Sequence, residues 1–172
     1  MIELIQDYWL YFLIGQYPNG PLGGLVLTLL LASCGLVLAL PLGIVLGLAR
    51  VSPWRSLRWP VSGFVFVVRG LPLLMVIFWA YFFLPSVTGV KTDQFATMLI
   101  ALVVFDAAYL AEIVRAGIQG LPRGQMETAR ALGLSWSRAM RLVVLPQALR
   151  SMLPSLVNQF VSTIKELSLI HI

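Results

Sequence analysis

The residues best placed to do chemistry lie in a polar stretch near the carboxyl end of the chain. Gly117 to Pro146 reads GIQGLPRGQMETARALGLSWSRAMRLVVLP. Gln125, Met126, Glu127, Ala129, Arg130, Ala131 and Leu132 are strong helix formers. Gly133 follows them as a helix stop, and Ser135 stands where it would cap a second helical run from Trp136. Met126, Ala129, Leu132 and Leu134 give the short helix apolar positions, and Glu127, Thr128 and Arg130 give it polar ones. A connection without a task is usually about two to eight residues long. The chemistry of this stretch is therefore recognition of another protein rather than bond making. One carboxylate, Asp106, stands inside an apolar run, where a charge is costly and usually functional. It serves either a solute path or a neighbouring helix, for example one carrying Arg69. The sequence holds no G-x-x-x-x-G-K-[ST] nucleotide loop, its one His is penultimate, and its one Cys, Cys34, lies in an apolar run.

The elements that must position these groups follow from composition. Hydrophobic residues make up 59% of the 172 and charged residues 11%. Soluble domains carry roughly 45–50% and about 25%. So few charges cannot solvate a globule of this size, and the chain belongs in a bilayer. The net charge of +5 suggests nucleic acid only superficially, because the basic residues are spread between apolar runs and form no compact patch.

No charged residue occurs between Asp7 and Arg50, a run too long for one spanning helix of about 20 residues. QYPNGPLGG, Gln16 to Gly24, breaks it. Before the break, residues 1–18 read as a short interfacial helix with Ile2, Ile5, Trp9, Phe12 and Leu13 as its apolar positions. After it come four apolar blocks read as spanning helices, 22–49, 61–84, 94–114 and 142–164, within a single domain, 1–172. Pro41 would bend the first, and Gly43 and Gly47 give it a face for close helix packing. The polar loop 117–141 separates the third from the fourth. Arginines gather around the first–second and third–fourth connections, whereas the other two connections hold only Lys91 and Lys165. The positive-inside rule puts the Arg-rich loops in the cytoplasm and the amino terminus outside. The aromatic run Phe78, Trp79, Tyr81, Phe82 and Phe83 reads as an outer interface belt.

The order E-T-A-x-x-x-G, nine residues, V-x-L-P resembles the cytoplasmic loop signature of the membrane subunits of bacterial ABC importers, usually E-A-A-x-x-x-G, nine residues, I-x-L-P. The matching positions are Glu127, Ala129, Gly133, Val143, Leu145 and Pro146, with Thr128 in place of Ala and Val143 in place of Ile. VVRGLPLLMVIFWAYFFLP (67–85), AAYLAEIVRAGIQGLPRGQ (107–125) and LPQALRSMLPSLVNQF (145–160) resemble the polar amino-acid subfamily. Phe78, Trp79, Tyr81, Pro85 and the run Asp106 to Ile113 lean toward glutamate or aspartate.

The resemblance implies an all-α integral membrane permease of the type I ABC importer fold, located in the bacterial cytoplasmic membrane. It implies a coupling helix over Gly124–Leu134 that docks into a groove of a separate ATPase subunit. Glu127, Ala129, Arg130, Gly133, Leu145 and Pro146 would be the coupling residues, although Glu127 and Arg130 also suit a plain i,i+3 pair. ATP and Mg would belong to that ATPase, leaving no cofactor and no catalytic role here. A second permease subunit, identical or different, and an extracytoplasmic amino-acid binding protein complete the implied assembly. Arg69, Asp106, Lys165 and Glu166 are the candidates for the translocation path. Arg69 also suits snorkelling to head groups, Lys165–Glu166 an exposed turn, and Glu112 and Arg115 a local pair. The family pattern continues as K-D-T-S-L and a fifth helix, whereas this sequence reads KELSLIHI, as a subunit cut short by about one helix would. Alternatives are the same machine for another small polar solute, and a membrane-embedded structural or assembly protein.

Overall fold

The computed structural model describes residues 9–17, 23–89 and 93–170. Residues 1–8 of the expected interfacial helix lie outside these, while 9–14 are helical and largely exposed. The main elements are α1 (Gly24–Val51), α2 (Arg55–Arg69), α3 (Leu73–Thr88), α4 (Gln94–Gln119), α5 (Gly124–Ala131) and α6 (Trp136–Ala139). A π-helical segment (Met140–Val144), α7 (Leu145–Ser151) and α8 (Leu153–Ile170) follow.

α1 and α4, of 28 and 26 residues, are each long and apolar enough to cross a membrane. At 1.5 Å per residue they reach roughly 40 Å, more than a hydrocarbon core of about 30 Å. They pack along their length as the central pair of the fold. The interface is built from small residues at four-residue spacing. Gly35, Ala39, Gly43 and Gly47 are all buried on one face of α1. A Cβ built on Gly35 would meet Leu102, one on Gly43 would meet Leu110, and one on Gly47 would meet Val114. Partner numbers rise together, so the two helices run parallel. α1 continues unbroken through Pro41.

Gly43 tests this interface. A Cβ there would sit 2.5 Å from Leu110 Cβ and 3.3 Å from the Ala107 carbonyl oxygen. Gly43→Val should force α1 off α4 and lower stability in detergent by about 1–3 kcal/mol. Gly63→Ala is the control, since nothing lies within 4 Å of a Cβ at that exposed helical position. It should gain up to about 1 kcal/mol. Equal melting temperatures for the two variants would refute close α1–α4 packing.

Two parallel spans require the chain between them to cross back. That return is not the single straight helix expected over 61–84. It is α2 and α3, which meet at 109°. The cause is local: Pro72 has no N–H to donate and disfavours helical geometry at Leu71. α2 therefore stops at Arg69, and Pro72 serves as the N-cap of α3. Val65, Val68 and Leu73 on either side of the bend are buried against Leu31, Leu102 and Phe105. α3 ends at Gly89, whose φ of +67° is a left-handed stop. Phe78, Trp79, Tyr81, Phe82 and Phe83 on α3 are all exposed.

The block expected over 142–164 is also interrupted. It begins at Trp136, passes through the π segment into α7, and breaks at Met152 before α8. Pro146 explains the first irregularity, because it cannot supply the next helical N–H. Gly117 faces Met152, while Asp106 faces Gln159 and Thr163, so α7 and α8 run antiparallel to α4.

Candidate functional site

The candidate docking stretch is ordered from within. Arg123 is the N-cap of α5 and Leu132 its C-cap. Gly133 has φ +83°. Its N–H donates to the Arg130 carbonyl at 3.0 Å, and the Leu134 N–H donates to the Ala129 carbonyl at 3.2 Å. Those two bonds form a complete Schellman stop. A Cβ on Gly133 would meet nothing within 4 Å, so the requirement is for backbone conformation, not space. Ser135 occupies the N-cap of α6, but its hydroxyl faces that of Ser137 at 3.4 Å rather than a backbone N–H.

One side of α5 grips the body of the protein. Ala129 is buried, and Met126 packs against a cluster containing Ile118, Met140 and Val144. A groove of about 280 Å³ runs beside it, bordered by Leu121, Arg123, Gln125, Met126, Glu127 and Met140. The other side is free. Glu127, Thr128, Arg130 and Leu132 are exposed, Leu132 at 78%. The i,i+3 pair of Glu127 with Arg130 is not formed, and Glu127 makes no salt bridge among the described residues. Leu145 packs on the same cluster as Met126, while Pro146 is exposed at the start of α7. Of the coupling candidates, Glu127, Arg130 and Pro146 are thus exposed, and Ala129 and Leu145 are turned inward.

Two polar joints tie the helices to the central α4. The first centres on Asp106, which is fully buried. Gln159 Nε2 donates to its Oδ1 at 3.0 Å, and the Thr163 hydroxyl lies 2.8 Å from the same oxygen. Its Oδ2 accepts no hydrogen bond among the described residues. The pairing of Asp106 with Arg69 that the sequence allows does not occur, because Arg69 turns to a different carboxylate. Gln159 and Thr163 carry no charge, and sequence reasoning misses them. Their four-residue spacing is the available signal, since it puts both on one face of α8.

The second joint centres on Glu112. Arg50 Nη1 of α1 donates to Glu112 Oε2 at 2.5 Å, and Arg115 donates to both carboxylate oxygens. Arg69 Nη1 at the end of α2 lies 3.4 Å from Oε2. The Arg69 guanidinium also stands 5.3 Å from the centre of the Tyr109 ring, and the Tyr109 hydroxyl donates to the Arg69 carbonyl. Glu112 therefore gathers α1, α2 and α4, where the sequence points only to its neighbour Arg115. Of the remaining path candidates, Lys165 is exposed, and Glu166 is half-buried with Oε2 unpartnered among the described residues. The structure brings Asp106 to α8, which carries Lys165 and Glu166, and holds Arg69 apart at the Glu112 joint. Among the described residues no group of three or more His, Cys, Asp or Glu side chains is arranged to hold a metal ion.

A family model described as the binding-protein-dependent transport system inner membrane component matches residues 39–172. The chain belongs to this family. It is 39% identical over 171 residues to the inner membrane amino-acid ABC transporter permease YhdY of Escherichia coli K12, covering 96% of this chain and 47% of that one. It is 38% identical over 160 residues to GlnP of Bacillus subtilis 168, named as a probable glutamine ABC transporter permease, covering 91% of this chain and 73% of that one. The chain thus spans about half the length of the first relative. A crystal structure of an amino acid ABC transporter with histidines superposes with a TM-score of 0.79 at 31% identity, over 98% of this chain and 74% of that one. The fold is that of an all-helical ABC importer permease, and the chain is a membrane protein. The family match takes in the candidate docking stretch, both polar joints and the carboxyl-terminal part of α1.

Proposed function

We propose that this chain is a permease subunit of an ATP-driven importer of polar amino acids in a bacterial cytoplasmic membrane. The observation that carries the reading is α5: a helix closed by a Schellman stop, anchored through Met126 and Ala129, with Glu127, Arg130 and Leu132 turned outward. Such a helix is built to be pushed and pulled as a unit. A separate ATPase subunit, which binds ATP and Mg, takes it in a groove. Movement of that groove is transmitted through the π segment and α7 to the spanning helices as rigid-body displacement. A second permease subunit and an extracytoplasmic binding protein complete the machine. The amino terminus faces outward, consistent with arginines at Arg50, Arg55, Arg58 and Arg115 to Arg150 gathering toward the cytoplasm. Arg69, Asp106, Lys165 and Glu166 are the charged groups of the translocation path, with Asp106 as its buried support. The substrate class is polar amino acids, with glutamate or aspartate favoured by the residues around Trp79 and Asp106.

Glu127→Lys tests the reading in the complete transporter. Reversing a docked charge should cut both ATPase co-purification and amino-acid uptake at least about tenfold. Unchanged pull-down together with unchanged uptake would remove the coupling role. Competition of labelled glutamate uptake by unlabelled aspartate, glutamine and arginine tests the acidic preference. That preference fails where arginine or glutamine competes better than aspartate.

A further inference from the structure

α5 is joined to the helix that re-enters the membrane by one side-chain bond, and its polarity can be read. Gln147 lies on α7, two residues after Leu145. Its Nε2 is 2.9 Å from the Val143 carbonyl oxygen. That oxygen can only accept, so the atom facing it must be the amide nitrogen. The same nitrogen lies 3.1 Å from Gln125 Oε1 on α5, 22 residues away in sequence. The two amide hydrogens of Gln147 are thereby both used, one on the π segment and one on α5.

The rest of the attachment of α5 is apolar: Ala129 is buried and Met126 packs on Ile118, Met140 and Val144, contacts that hold the helix but give no directional bond. Met126 packs with Leu121 and Met140 on the cluster beside the groove. Methionine is the most adaptable of core side chains and specifies geometry poorly. Along the backbone, α5 reaches α7 only through the Gly133 stop, the short α6 and the π segment.

We infer that Gln125 and Gln147 form a strut that fixes the coupling helix to α7, so that a displacement of α5 is delivered to the spanning helix instead of being absorbed by the loop. Both are positioning residues; neither touches solute or nucleotide. The inference rests on the coupling role proposed for α5, and its test separates the two.

Gln125→Glu and Gln147→Glu add the same charge and nearly the same volume. They differ in whether residue 147 keeps its anchor on the Val143 carbonyl. In Gln125→Glu the new carboxylate still accepts from Gln147. In Gln147→Glu, Gln125 can turn its amide to donate to the new carboxylate, but that carboxylate has no hydrogen for the Val143 carbonyl and is repelled by it, so the strut loses its anchor on the π segment. The complete transporter, reconstituted with its ATPase and binding protein, is assayed for ATPase co-purification and for amino acid taken up per ATP hydrolysed. Wild type and Gln125→Glu should couple alike. Gln147→Glu and Gln147→Leu should lose roughly three- to tenfold in uptake per ATP, as for one lost hydrogen bond, with the ATPase still bound. The double variant Gln125→Leu, Gln147→Leu should be no worse than the poorer single change. Equal coupling by Gln125→Glu and Gln147→Glu, whether good or poor, overturns the strut. Failure of the wild-type chain to hold an ATPase overturns the coupling role beneath it.

Discussion

Glu112→Gln should be the most damaging single isosteric change in the chain. The substitution keeps size and shape and removes one negative charge. In the native structure that charge is shared by Arg50, Arg69 and Arg115, which come from α1, α2 and α4. With it gone, three guanidinium groups face one another around a neutral amide. The side chains of Arg50 and Glu112 are 13% and 22% exposed, so solvent screens them only in part. Breaking a largely buried pair costs about 3–5 kcal/mol, because the surviving charge stays desolvated. Taking the low end, about 3 kcal/mol should lower the melting temperature in detergent by roughly 6–12 °C. The arginines should rank by burial and distance. Arg50→Gln should cost more than Arg69→Gln, since Arg69 is 38% exposed and lies at 3.4 Å. Arg150→Gln, an exposed position without a salt bridge among the described residues, is the baseline. If Glu112→Gln melts within about 2–3 °C of that baseline, roughly the effect of about 1 kcal/mol, Glu112 does not hold the three helices.

Local features of this fold are legible in the sequence. Gly133 ends α5 because a left-handed residue is needed there, and glycine supplies it at no steric cost. Gly43 and Gly47 pack against a helix because their spacing puts them on one face. Apolar blocks mark the spanning helices, since backbone in a bilayer must satisfy itself. The break between α2 and α3 is written in Arg69-Gly70-Leu71-Pro72 but hidden by the surrounding apolar run, which reads as one continuous span. The partners of Asp106 and Glu112 are not legible. Arg50 and Glu112 are 62 residues apart, and Asp106 and Thr163 57. Pairings at such separation are set by how helices stack, which no local pattern encodes. A neighbour such as Arg115 is then the natural guess, and it supplies only part of the answer.

Asp106 gives the second large effect, and two substitutions separate its roles. Asp106→Leu should prevent assembly. It removes the acceptor of Gln159 Nε2 and of the Thr163 hydroxyl at a site with no solvent exposure. Gln159 Nε2, left unpaired, costs about 1–3 kcal/mol, while the Thr163 hydroxyl can still donate to the Gln159 carbonyl at 3.1 Å. The bulkier side chain adds overpacking against Gln159 and Thr163 at a fully buried site. Little folded protein should reach the membrane. Asp106→Asn keeps the Oδ1 acceptor and the shape, and changes only the charge and the group at Oδ2. Because Asp106 is fully buried and bonded to two side chains of α8, this variant should assemble normally and keep uptake within about twofold, the effect of less than one hydrogen bond. The alternative is a carboxylate that meets the solute during transport. In that case Asp106→Asn would assemble normally and lose uptake by an order of magnitude or more. Measured together, membrane yield and uptake per assembled transporter distinguish a pin between α4 and α8 from a charge on the route. The geometry favours the pin: both hydrogen bonds run from α8 to one oxygen of α4, where they hold the last helix against the central pair.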